Sequence, residues 1–174
     1  MTWNSYRHRG ETLRRVIASA DLRRDGRLPM DVDGVEDAFG SELDLLGALQ
    51  LRWHTRLAGR IERELMNDPM DLERAVVAAW RATADELPGV RAIVDAHRVH
   101  PLDDEMAAAM ARAETKERAF LAVMAGRASA YDAGAAGVGA RLEATAREGW
   151  APAPVGAELE RPTLLHRLRA ALAA

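Results

Sequence analysis

SELDLLGALQLRWHTRLAGRIEREL, residues 41–65, is the stretch on which the fold turns. Leu43, Leu46, Leu49, Trp53, Leu57, Ile61 and Leu65 return at intervals of three and four, the period that lays apolar side chains along one side of an α-helix. Ser41 stands ahead of them with a hydroxyl acceptor and Asp44 follows three residues on, so the helix has a start signal. Asn67-Asp68-Pro69 ends it and opens the next helix. There Asp68 is expected to cap and Pro69 to take the first helical position, where a missing N–H costs nothing.

The same period continues in both directions. Leu72, Val76, Ala79, Trp80 and Leu87 form the face of a third helix, which Pro88-Gly89 breaks. Val90, Ile93 and Val94 start a fourth that ends before Pro101. Asp103 opens a fifth with Met106, Met110, Ala113, Phe120, Leu121, Met124 and Ala128, the methionines serving as core filler. That helix either runs past Tyr131 or breaks near Asp132-Ala133-Gly134 and resumes through Leu142 to about Arg147, and both alternatives stay open. Upstream, a helix from about Glu11 to Arg24 is stopped by Asp25-Gly26, with Pro29 beyond. Convincing period-two runs are missing, so the expectation is an all-α, antiparallel bundle of four to five main helices.

Composition changes after Gly149. Trp150-Ala151-Pro152-Ala153-Pro154-Val155-Gly156 reads as extended linker, and Thr163 then caps an amphipathic helix. Leu164, Leu165, Leu168 and Leu172 lie on one side of it, with Arg167 and Arg169 opposite. The expected organisation is a bundle domain over residues 1–148, a linker over 149–162 and a tethered C-terminal helix over 163–174.

Composition removes several function classes. The 174 residues include no cysteine, which excludes disulfides, thiolate metal sites and cysteine nucleophiles. Lys116 is the only lysine, so Schiff-base chemistry could rest on it alone. Gly134-Ala135-Ala136-Gly137-Val138-Gly139 has no strand-like run before it and no lysine after it, which argues against a phosphate loop. No serine sits in a Gly-x-Ser-x-Gly elbow. The N-terminus shows no apolar core of a secretory signal, and Arg127 and Asp132 interrupt the least polar stretch, so a cytoplasmic protein without membrane contact is expected. Lys and Arg total 24 against 27 Asp and Glu. Residues 1–30 carry seven arginines against three acids, while residues 31–50 carry six acids and no base. These blocks are expected to neutralise each other, which makes the arginine-rich first helix a solvated face and not a nucleic-acid contact.

Four polar residues fall on apolar stripes and are candidate metal ligands or acid–base groups. His54 lies beside Leu57 and Ala58, His97 completes the pattern of Val90, Ile93 and Val94, and His100 follows one turn on. Glu117 sits amid Met110, Phe120 and Met124. Converging imidazoles and a carboxylate would suit a divalent metal. The competing reading gives the histidines backbone carbonyls and pairs Glu117 with Arg52 or Arg56. It is favoured because bundle metal sites use Glu-x-x-His, which this chain lacks. Trp3, Trp53 and Trp80 are expected to anchor the core with their indole N–H groups at its rim. Trp150 either staples the linker to the bundle or meets a partner. The leading expectation is a non-enzymatic module that acts through protein contacts or self-association and needs no cofactor. Its partner-binding residues are Trp150, Leu164, Leu165, Leu168 and Leu172. The alternative is a metal-binding or acid–base enzyme built on His54, His97, His100 and Glu117.

Overall fold

A computed structural model describes residues 3–151, with side chains from Arg7 onward. The anchoring role expected of Trp3, and the segment 152–174 with Leu164, Leu165, Leu168 and Leu172, lie outside the described part. The described chain is all-helical, without a strand. In order come α1 (Trp3–Arg23), α2 (Val35–Phe39), α3 (Glu42–Asn67), α4 (Leu72–Glu86), α5 (Pro88–Val99), α6 (Asp104–Met124) and α7 (Ala135–Arg147). Six of the seven have twelve residues or more, against the four or five main helices expected. No helix among the described residues is long and apolar enough to cross a membrane.

α3 is the axis of the assembly, about 39 Å long at 1.5 Å per residue. Ser41 caps it from an extended conformation, its Oγ accepting the Asp44 N–H at 3.1 Å. Leu45, Leu46, Leu49, Trp53, Leu57 and Ile61 are buried to within 1% of full enclosure. Leu43 and Leu65, placed on the same stripe by spacing alone, are only half-buried. α4 packs along α3, and the Trp80 ring meets Trp53 edge-to-face at 5.8 Å. Both indole nitrogens are buried and unpaired, so these rings sit wholly inside the core and not with their N–H groups at its rim.

The helix boundaries depart from the sequence reading in two places. Asp68 closes α3, its backbone N–H donating to the Glu64 carbonyl, and Asp71 caps α4, accepting from the Arg74 N–H at 3.0 Å. Pro69-Met70 is therefore a turn. The second departure is α2, a five-residue helix inside the acidic block, too short to show a period, that buries Val35 and Phe39. The acidic and basic blocks do meet, through Arg23 and Asp31.

Two glycines set the closest helix crossings. A Cβ on Gly89, the second residue of α5, would fall 2.1 Å from the Ala20 carbonyl carbon of α1. The same contact lets Asp21 of α1 accept the Gly89 N–H at 2.8 Å, a cap supplied to α5 by another helix. Burial raises the Asp21 pKa, and the Gly89 N–H works against that rise. In α7, a Cβ on Gly139 would lie 1.7 Å from the Arg118 carbonyl oxygen of α6. The glycine-rich run 134–139 is thus a helix start with one enforced close approach. The chain breaks after Met124, with Gly126 at φ +66°, and α7 begins at Ala135, which favours two helices but with the break earlier than Asp132-Ala133-Gly134, so that Ala128 belongs to neither helix.

Gly139→Ala should lower stability by at least about 3 kcal/mol, because backbone and not a movable side chain opposes the added carbon. Gly47→Ala, in the interior of α3 with nothing within 4 Å of the new Cβ, should raise it by about 1 kcal/mol. Thermal unfolding followed by circular dichroism would resolve the opposite signs.

Candidate functional site

Of the four residues expected to converge, the structure brings together two. His54 is exposed on α3, with its ring 5.0 Å from that of Phe120. It lines a cleft of about 260 Å³ between α3 and α6 with Gln50, Lys116 and Glu117. His97 is buried elsewhere, its Nδ1 2.8 Å from the Ile93 carbonyl oxygen of its own helix. His100 is exposed at the C-terminal cap of α5. Glu117 is held by arginines, though not Arg52 or Arg56: its two carboxylate oxygens lie 3.5 Å from Arg91 and from Arg98. Arg56 instead pairs with Glu86, as does Arg60. Among the described residues no group of three or more His, Asp or Glu could hold a metal ion.

The arginines around Glu117 belong to a network that the sequence reading missed. Arg91, Asp95 and Arg98 stand at i, i+4 and i+7 on α5, beside the stripe of Val90, Ile93 and Val94. α6 adds Glu114, Glu117 and Arg118, and α7 adds Glu143 and Arg147, giving four acids and four arginines. Arg91 donates to Asp95 at 2.7 Å, and Arg147 grips the same carboxylate with two bonds of 2.7 and 3.0 Å. Glu143 accepts from Arg98, Arg118 and Arg147 at 2.8–2.9 Å. Arg91 lies over the Trp53 ring at 4.7 Å and Arg147 over Trp80 at 4.9 Å. Burial pushes the Glu143 carboxyl up, but Arg98, Arg147 and Arg118 outweigh it and hold the group at about 2. Burial likewise opposes the charge of Arg91, and Asp95 and Glu117 act against that loss. The cleft of about 510 Å³ beside this network has three acids and three arginines on its walls, all engaged with one another. Its evident work is to tie α5, α6 and α7 together.

The face of α3 adjoining the His54 cleft, with Gly47 and Leu51 common to both, has unfilled apolar space. α1 and α3 enclose a groove of about 570 Å³, with Gly10 and Leu13 on one side and Leu43, Gly47, Ala48 and Leu51 on the other. Leu51 is 66% exposed. Gly10 and Gly47 have nothing within 4 Å of where a Cβ would stand. Arg9 at the rim donates to the Ala38 carbonyl and lies over the Phe39 ring, and Asp44 accepts the Ser41 hydroxyl. Arg52 has no ion-pair partner among the described residues. The signal for this groove was present in Leu43, Gly47, Leu51 and Thr55, every fourth position of α3, a second stripe turned away from the buried one.

Trp150 is stapled to the bundle. Its Nε1 donates to Asp85 at 2.8 Å, and its ring meets Trp80 edge-on at 5.6 Å. Arg81 fixes the same end of the molecule by donating to the carbonyls of Thr145, Ala146 and Glu148, each at 2.9 Å. No family model matches the sequence, and no curated protein or solved structure matches it.

Because the Glu143 carboxyl is held at about 2 in the folded chain, the stability it contributes is complete above its unfolded pKa near 4.5. It is lost as pH falls from there toward 2. Glu143→Gln should be less stable at pH 7 by on the order of 3 kcal/mol and lose less on acidification. Urea unfolding of both proteins from pH 7 to 2.5 should show their curves converging; parallel curves would mean the carboxylate is not held in this way.

Proposed function

We propose that this chain is a non-enzymatic helical module that acts through protein contacts, and that its contact surface is the α1–α3 groove, which takes one amphipathic helix. Glycine placement carries the reading. Gly89 and Gly139 are required by backbone crossings, but Gly47 is not. A glycine inside a helix costs about 1 kcal/mol against alanine, so one with open space above it calls for a reason outside the packing of the fold. Gly59 and Gly137 also have open space within helices, but they lie outside this groove. At Gly47 the space opens between leucines, where the ridge of an incoming helix would settle at close interaxial distance. The exposed Leu51 supports the same reading, since it gives an incoming leucine an apolar partner.

The test uses a fluorescent synthetic helix of leucine, alanine and arginine, with leucines at i, i+1, i+4 and i+8. It is titrated into the full chain carrying Leu164→Asp and Leu168→Asp, so that the chain's own apolar C-terminal segment does not compete. Adding Gly47→Leu should fill the groove and weaken binding about tenfold or more without lowering Tm. Equal affinity with and without Gly47→Leu, or no binding to either protein, overturns the reading.

A second reading, an acid–base or divalent-metal site, is supported by His54 and Glu117 lining one cleft with Lys116. It would show as a rise in Tm with added Zn²⁺ that His54→Ala abolishes. An unchanged Tm removes the metal form of this reading.

A further inference from the structure

We infer that the helix this groove takes is α3 of a second copy of the chain, lying antiparallel across it. The inference rests on the groove reading above and names its partner. Shape is the first argument. On the outer face of α3 the exposed Leu51 stands one turn from Gly47, above which nothing lies within 4 Å. A knob and a hollow on one helix suit a two-fold axis: Leu51 of each copy enters over Gly47 of the other, and both contacts form at once. Leu51 and Gly47 also border the His54 cleft on the α6 side, so this ridge is open on both flanks. On the opposite wall Gly10 has open space as well, which leaves room for an incoming helix beside α1.

Charge is the second argument, and it sets the direction. Residues 31–50 hold six acids and no base, and the first base after them is Arg52. Asp44 and Arg52 are exposed on the groove about two helical turns apart, and neither has an ion-pair partner among the described residues. Asp44 accepts the Ser41 hydroxyl at 3.0 Å, whereas Arg9, the other cation of the rim, is engaged at the Ala38 carbonyl and over the Phe39 ring. An antiparallel register with Leu51 opposite Gly47 leaves Arg52 about 3 Å, two residues of helical rise, from the level of Asp44 in the second copy. An arginine side chain spans that offset, and the two-fold repeats the pair. A parallel arrangement would set Asp44 against Asp44 and Arg52 against Arg52. It would also stack Leu51 on Leu51 and leave both glycine hollows empty.

Light scattering on the full chain should give twice its mass of 19.0 kDa, and Gly47→Leu, which fills the hollow, should bring the value back toward a single chain. Asp44→Arg and Arg52→Glu should each weaken self-association about tenfold or more, since each sets two like-charged pairs across the axis. Both positions are exposed, so neither substitution enters the core. Mixing the two variants should restore the dimer, because one copy of each again opposes unlike charges at both ends. A chain that stays monomeric at every concentration overturns the inference. So does a dimer indifferent to Gly47→Leu, or a pair of variants that stay apart when mixed. The synthetic-helix titration, run on the Arg52→Glu chain, keeps the two proposals apart. Gly47-dependent helix binding by a chain that never dimerises refutes the second copy and leaves the groove reading standing, whereas neither binding nor dimer removes the groove reading as well.

Discussion

The guanidinium of Arg91 lies in the middle of the helical core at 1% exposure, over the face of Trp53, and every helix around it is arranged to keep that charge tolerable. An arginine taken out of water without partners would cost several kcal/mol. Asp95 on the same helix and Glu117 on α6 supply opposite charge, but a carboxylate buried beside one arginine needs further donors of its own. Arg147 completes Asp95, Arg98 completes Glu117, and Arg98 and Arg118 meet again on Glu143. The chain of obligation begins at one buried cation and ends by fixing α5, α6 and α7 against one another. Removing a single member leaves its buried partners one bond short, which is why such networks are costly to break even where their net contribution is small.

That arrangement explains why the polar groups in the interior make a poor reaction centre. Catalytic acids and bases need free lone pairs or protons directed at a space a substrate can enter. Here each acid on the wall of the α5–α7 cleft is met by arginine, and His97 has its Nδ1 within hydrogen-bond distance of the Ile93 carbonyl oxygen. The half built from α5, α6 and α7 has its carboxylates engaged by arginine, although the buried Nε atoms of Arg91 and Arg98 have no partner among the described residues. The unsaturated half is the outer face of α3, where apolar wall and open glycine coincide. The first half bears on the second, because α3 also carries Trp53, the ring under Arg91, and so is packed from behind while its other face stays open.

How much of this could be read from the residues follows from what periodicity measures. The stripe of α3, the cap at Ser41 and the stop after Asn67 were legible because each is a local event with a local chemical cause. The start of α4 was not: Asp68-Pro69 and Asp71 both satisfy the rules for a cap, and the choice fell to Asp71 because the Asp68 N–H closes the last turn of α3. The site was harder. His54, His97 and Glu117 were found by their place on apolar stripes, but whether stripes on different helices converge depends on their packing, which spacing alone does not encode. Arg91, Arg98, Glu143 and Arg147 were passed over because charges at i and i+4 usually mark a solvated face. Gly139 brings α7 against the Arg118 backbone of α6, and Glu143 of α7 then meets Arg98 and Arg118.

Gly139 and Gly47 therefore make opposite use of the same residue. Both lie within helices and both carry the entropic cost of glycine. At Gly139 the missing side chain is filled by the Arg118 backbone, so the fold has already used the space. At Gly47 the space is still open among leucines. Sequence treats the two alike, and the structure separates them by what stands within a few ångströms of the absent carbon. An unused indentation of this kind, held from behind by packed tryptophans and lined by side chains that water solvates poorly, gains stability when an apolar helix covers it.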